Sequence, residues 1–124
     1  MRFSRWRAAG NEYLLAERAE PGELLTAERV REHVGESDGI LEVVSVKGVE
    51  AQIVIWNPDG SVAEMSGNGT RIAARWLVER SGEEVVTIRS AGRDVSAHLL
   101  PSGEIEQTIG AFEVFECHNR IGAF

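Results

Sequence analysis

The segment from Asn57 to Arg71 (Asn-Pro-Asp-Gly-Ser-Val-Ala-Glu-Met-Ser-Gly-Asn-Gly-Thr-Arg) constrains this chain more than any other. An apolar strand, Ile53-Val54-Ile55-Trp56, runs into Asn57, and Pro58-Asp59-Gly60 has the chemistry of a tight turn. There Pro presets φ, Asp hydrogen-bonds nearby backbone and Gly supplies a positive φ. A helical pattern follows, with Ile72, Ala73, Trp76 and Leu77 on one face. The helix begins at Ser66-Gly67-Asn68-Gly69-Thr70, where free backbone N–H groups attract anions and the glycines admit a ligand close to the main chain. A carboxylate fits such a start as well as a phosphate. Taken alone, the same residues read as an N-cap (Ser66 or Asn68) and a shaped turn. They are not a nucleotide phosphate loop, because no Lys-Ser/Thr follows the second glycine.

The rest of the chain reads as an α+β domain. Strands are expected near 2–8, 12–16, 40–46, 51–56, 84–89, 93–99, 104–109 and 112–116. A short amphipathic helix is expected from Thr26, as its cap, to His33. Ala91-Gly92 suits a hairpin turn, and Pro101-Ser102-Gly103 the next one. Many strands and one strongly apolar helix imply a curved sheet wrapped around that helix.

Charge and cysteine content narrow the function classes. A net charge of −7 argues against general nucleic-acid binding, which wants a basic face. No apolar run is long enough to span a membrane, and the arginine-bearing N-terminus lacks the apolar core of a signal peptide. A single cysteine excludes an intramolecular disulfide and suits a reducing compartment, so a cytoplasmic location is expected. Cys117-His118 lacks metal-ligand spacing and has no second thiol to complete a site; neither metal nor cofactor is expected. His33 and His98 read as structural.

Asn57 to Arg71 resembles the signature of the diaminopimelate epimerase family, Asn-Ala-Asp-Gly-Ser-x-x-x-x-Cys-Gly-Asn-Gly-x-Arg. Met1-Arg2-Phe3-Ser4 followed by Gly10-Asn11-Glu12-Tyr13 is similar to the family's first strand and its Gly-Asn-Asp-Phe. Ser90-Ala91-Gly92 resembles its Thr-x-Ala-Gly strand pair, so the matches run in order from residue 1 to about residue 92. The resemblance implies an antiparallel, barrel-like sheet enclosing a central helix, here Asn68 to Glu79. It implies a cofactor-independent inversion of an amino-acid α-carbon between two cysteines, one from each of two similar domains. One thiolate removes the α-proton and the other thiol returns a proton to the opposite face. Carried onto this chain, the resemblance places the proton-transfer group at Ser66. It gives the backbone N–H groups of Gly67 and Asn68 to the substrate carboxylate, and makes Asn11 and Asn57 polar substrate contacts.

Three departures matter. Ser66 stands at the first catalytic cysteine, and a hydroxyl needs its own base to act as a thiolate does. Glu64 is near in sequence, but no partner is obvious. An introduced replacement, a natural variant with one-thiol or one-sided proton-exchange chemistry, and a non-catalytic relative all fit Ser66. The 124 residues match only the N-terminal half of the two-domain family, so the second thiol is not among them, and Cys117 lacks that loop's Gly-Cys-Gly context. Where the family often has Phe-Asp-Gln, this chain has Ser37-Asp38-Gly39 and so lacks a side-chain amide. Arg7 is either an anion contact or a solvated loop residue. The expected organisation is one epimerase-like domain over 1–115 and a C-terminal tail, 116–124, of unknown role. The expected ligand is a small amino acid of the diaminopimelate type. Two copies could also pair to rebuild the cleft, or the chain could pair with a second epimerase-like domain. The competing class is a non-catalytic amino-acid-binding or self-associating module of the same fold.

Overall fold

The computed structural model describes residues 1–64, 66–109 and 119–120. The strands are β1 (Arg2–Ala8), β2 (Asn11–Glu17), β3 (Ile40–Lys47), β4 (Glu50–Trp56), β5 (Val85–Ser90), β6 (Arg93–Leu99), β7 (Ile105–Ile109) and β8 (Asn119–Arg120). Helices α1 (Ala27–His33) and α2 (Gly67–Ser81) follow β2 and β4. Among the described residues the strands form one sheet in chain order. The strand expected at 112–116 and Cys117 lie outside the described residues. Within the expected tail, Asn119 and Arg120 pair with Gln107 and Glu106 at the sheet edge.

Five of the seven strand junctions are antiparallel and two are parallel. The parallel ones, β2 with β3 and β4 with β5, are those bridged by α1 and α2. A parallel neighbour requires the chain to return to its starting end, and a helix supplies that crossover. The sheet is therefore mixed where a wholly antiparallel one is expected from the resemblance, while the barrel-like wrap around α2 is as expected.

Burial explains the wrap. Gly69, Thr70, Ile72, Ala73, Ala74, Trp76, Leu77 and Val78 of α2 are all buried, so the helix presents apolar surface over most of its circumference. A single flat sheet covers only one side of such a helix; here β1, β2 and β4 to β7 all pack against it. Ser66 caps α2 at one end, and Gly82 closes it at φ 76° with its N–H on Val78 O (2.9 Å). Helix α1 packs on the other face of the sheet, where Val30 meets Leu14, Ala16, Leu25, Val34 and Ile40. Strand β2 is thus covered on both faces, Tyr13 and Leu15 toward α2 and Leu14 and Ala16 toward α1, which explains its unbroken apolar run. Glu42 is the buried charge of this outer layer. Its carboxylate accepts from Leu25 N–H and from the Trp56 indole N–H, both at 3.0 Å, which satisfies both oxygens.

The hairpin turn expected at Ala91-Gly92 is present, and Ala9-Gly10 makes a second of the same kind. Ala9-Gly10 and Ala91-Gly92 have positive φ at both positions (48° and 86°, 52° and 77°), the geometry that matches the twist of the flanking strands.

Candidate active-site cleft at the start of the central helix

The route from β4 to α2 is set by the turn read from the sequence. Asn57 N–H donates to Ser61 O (2.7 Å) and Gly60 N–H to Asn57 O (2.9 Å). Gly60 has φ 91°, and a Cβ there would sit 2.8 Å from Ala27 O, so the turn packs directly on α1. Arg31 Nη1 donates to Asp59 O (3.2 Å) across the same contact. The Ser61 hydroxyl and then the Ser61 N–H hold the Asp59 carboxyl below the usual range. After the turn Val62 bridges back to Trp56 and Ala63 N–H donates to Ile55 O (2.8 Å). That reversal starts α2 inside the curl of the sheet.

Ser66 has extended backbone (φ −144°, ψ 118°), and its Oγ accepts from Gly69 N–H at 3.0 Å, a standard cap. The same oxygen lies 3.1 Å from the Tyr13 phenol. Among the described residues, the N–H groups of Gly67 and Asn68 have no hydrogen-bond acceptor. They and the positive end of the helix dipole make a local anion receptor. Asn68 Nδ2 donates to Asn11 Oδ1 (2.6 Å), while Asn11 Nδ2 donates to Asp38 Oδ2 (3.3 Å). Asp38 Oδ2 also takes Glu12 N–H (2.8 Å). Asn68 Oδ1 is buried and has no partner among the described residues, leaving an acceptor beside the two free N–H donors. Together these groups can hold a carboxylate and offer one acceptor to a nearby cation or N–H.

Ser66, Gly67, Asn68 and Asn11 are therefore brought together, and Asn57 stands apart from them. Its Nδ2 donates to Ser61 Oγ (3.0 Å) within the turn. Glu64 is exposed and makes no hydrogen bond to Ser66 among the described residues. Arg7 lies on β1 rather than in a loop, largely exposed, with Nε 3.8 Å from Glu12 Oε1. Arg71 follows the glycine loop; burial and then the neighbouring Arg75 lower its pKa, opposed by Glu104. It stays charged regardless.

Sequence reasoning missed the residues that hold the loop in place. Thr70 Oγ1 donates to Gln107 Oε1 at 2.7 Å, its shortest contact, and Gln107 Nε2 donates to Gly67 O (3.1 Å). Gln107 is buried, 3 % exposed. The signal was present in Ile105-Glu106-Gln107-Thr108-Ile109: Gln107 lies two residues from Ile105 and so shares its inward face along the strand. Tyr13 and Asp38 gave no such signal, since each acts on a residue distant in sequence.

Residues 8–113 match the family model described as diaminopimelate epimerase. The chain belongs to the diaminopimelate epimerase family. It is 35 % identical over 116 residues to diaminopimelate epimerase 2 of Nostoc, covering 86 % of this chain and 40 % of that protein. It is 38 % identical over 93 residues to the diaminopimelate epimerase of Corynebacterium glutamicum, covering 64 % and 33 %. The chain thus spans about two fifths or less of the length of these curated relatives. Among solved structures, a predicted epimerase from Pseudomonas aeruginosa superposes with TM-score 0.60 at 15 % identity, covering 80 % of this chain and 37 % of that one. A PhzF-family phenazine biosynthesis protein from Enterococcus faecalis gives TM-score 0.58 at 12 % identity, covering 78 % and 36 %. These two show the shared fold.

Two positions that the motif resemblance marks as replacements, Tyr13 in place of a Phe and Ser66 in place of the cysteine, face each other, and their hydroxyls are the 3.1 Å pair. The phenol gives Ser66 Oγ a second partner beyond the cap bond. Tyr13→Phe is expected to cost about 1 kcal/mol by removing one partly buried hydrogen bond without creating a cavity. Urea unfolding checks this, and the same loss should disappear in a Ser66→Ala background if the bond is the cause.

Proposed function

We propose that this chain is the substrate-binding half of a diaminopimelate-epimerase-type isomerase, and that with Ser66 in place it does not by itself carry out proton transfer. The substrate's α-carboxylate sits on the N–H groups of Gly67 and Asn68, with the Asn11–Asn68 pair alongside. Asn57 borders the cleft through its turn rather than through a free amide. The observation that carries this reading is the start of α2: a capping side chain at the thiol position, followed by two N–H groups without acceptors among the described residues. An amino-acid α-proton is very weakly acidic, so its removal demands a matched base and stabilisation of the developing carbanion. Ser66 Oγ is engaged by Gly69 N–H and by Tyr13, and no His, Lys or carboxylate bonds to it among the described residues. A hydroxyl so placed hydrogen-bonds a ligand but does not become an alkoxide. The second proton-transfer group of a complete site comes from another domain of the same build, on a longer chain or in a second copy.

The test is ¹H NMR of diaminopimelate in D₂O, with the chain as it stands and with Ser66→Cys. The expected result is saturable ligand binding by both, no α-proton exchange with Ser66, and exchange with Ser66→Cys. The cysteine sits at a helix start, where the dipole and the Tyr13 phenol favour its thiolate. Exchange by the unmodified chain would overturn the claim about Ser66. Absence of binding by both would overturn the ligand assignment. Binding by both without exchange by either supports the second reading, a non-catalytic amino-acid-binding module, which the double engagement of Ser66 Oγ favours.

A further inference from the structure

The far end of α2 carries a second recess whose chemistry differs from that of the cleft at Ser66. Strands β2 and β3 pair only across Leu14–Ala16 and Ile40–Glu42. Past that short ladder, beside the end of β2 and Val43 to Val46 of β3, lies a recess of about 350 Å³. Its charged lining is Arg2, Arg18, Arg80 and Glu17, and its apolar wall is Val43 and Trp76. Trp76 and Arg80 lie in the last two turns of α2, so the recess is about 20 Å from Ser66 at 1.5 Å per helical residue.

The balance of charge in this recess is unusual for a chain of net charge −7. Glu17 is the one carboxylate in the lining, and Arg2 lies 3.4 Å from it. Arg80 rests over the Trp76 ring, 5.5 Å from its centroid, and has no carboxylate partner among the described residues. Arg18 is half-buried, and its Nε is fully buried without a hydrogen-bond acceptor among the described residues. A guanidinium does not escape such a position by losing its proton. A desolvated donor without an acceptor is unfavourable, and more so when charged. Arg18 and Arg80 thus line one recess as two cations that no carboxylate bonds among the described residues, beside an apolar wall, while Glu17 is paired with Arg2.

We propose that this recess binds a small molecule carrying a carboxylate or phosphate group, the anion on Arg18 and Arg80 and the apolar part against Val43 and Trp76. Guanidinium forks suit either group, since both present paired oxygens. The site is separate from the cleft at Ser66 and does not depend on what that cleft binds. Because Trp76 lies on α2, whose first turn forms the other cleft, occupancy of the recess has a direct structural route to it.

The test is NMR of the arginine Nε–H and tryptophan indole signals while sodium phosphate, and separately sodium succinate, is added at ionic strength held constant with sodium chloride. The expected result is a saturable shift of the Arg18 and Trp76 signals. Arg18→Gln should raise the half-saturating concentration about tenfold, the loss of one charge-assisted pair. Arg29→Gln, on α1 across the sheet from α2 and outside the recess lining, should leave it unchanged. The two salts show whether phosphate or carboxylate is preferred. If Arg18→Gln does not fold, Arg80→Gln, an exposed helix position, carries the same expectation. Shifts that rise linearly, or that persist unchanged in both variants, would overturn the proposal. So would light scattering showing that the protein is already a dimer which phosphate dissociates, because an acidic side chain of a second copy would then be the anion.

Discussion

Gly39→Ala is expected to destabilise the domain by about 3 kcal/mol or more, the upper range for overpacking a close contact. A Cβ at this position would lie 2.4 Å from Trp56 O and 3.0 Å from a Tyr13 ring carbon. The carbonyl belongs to β4, whose Trp56 is in register with Ile40, so it retreats only by breaking the β3–β4 ladder. The Tyr13 ring retreats only by pulling its hydroxyl from Ser66. Glycine is therefore required here for space; its φ is unexceptional. A side chain at position 39 has no room in this chain, so Gly39→Gln should be no milder than alanine. Urea unfolding measures the effect, and a loss below about 1 kcal/mol would contradict the close approach. The Ser66→Cys protein with Gly39→Ala should also lose α-proton exchange, because the displaced Tyr13 ring carries the disturbance into the cleft.

Gln107→Ala is expected to cost about 2–3 kcal/mol, from two lost hydrogen bonds and an unfilled space in the core. Its amide accepts from Thr70 and donates to Gly67 O, joining β7 to the first turn of α2. Thr70 keeps alternatives, since Ser66 O and Gly67 O lie 3.1 Å from its hydroxyl. Gly67 O keeps the Thr70 hydroxyl but loses its tie to β7, and the turn that presents the Gly67 and Asn68 N–H groups loosens. Hydrogen exchange distinguishes this from general destabilisation: amides of Gly67 to Thr70 should exchange faster relative to those of β5 and β6 than in the parent. Uniform acceleration across the domain would show that Gln107 supports stability without positioning the loop. The loss in ligand affinity should exceed that of Tyr13→Phe, because Gln107 fixes the backbone donors and Tyr13 touches only the Ser66 hydroxyl.

Much of the architecture was legible in the chain. Thr26 caps α1, and the α2 face of Ile72, Ala73, Trp76 and Leu77 is buried as its spacing implied. The strand positions through residue 109 agree within one residue or so, because alternation and turn residues are local signals. The turn at Asn57 to Ser61 and the cap at Ser66 were legible for the same reason: their partners lie within four residues. What the sequence by itself determined is this set of elements and the loop that begins α2, since each depends on short-range sterics and hydrogen bonds.

Tertiary structure decided what those elements face. The parallel junctions arise because α1 and α2 return the chain to the start of the sheet, an arrangement that no strand's own residues encode. The site residues divided likewise. Asn11 and Asn68 meet across 57 residues and Tyr13 reaches Ser66 across 53, whereas Asn57 is consumed by its own turn. Arg18, just past β2, and Arg80, in the last turn of α2, come to share a recess only in the folded chain. Contacts of this kind depend on the curvature of a sheet closed around one buried helix, and that curvature is a property of the packed whole rather than of any segment.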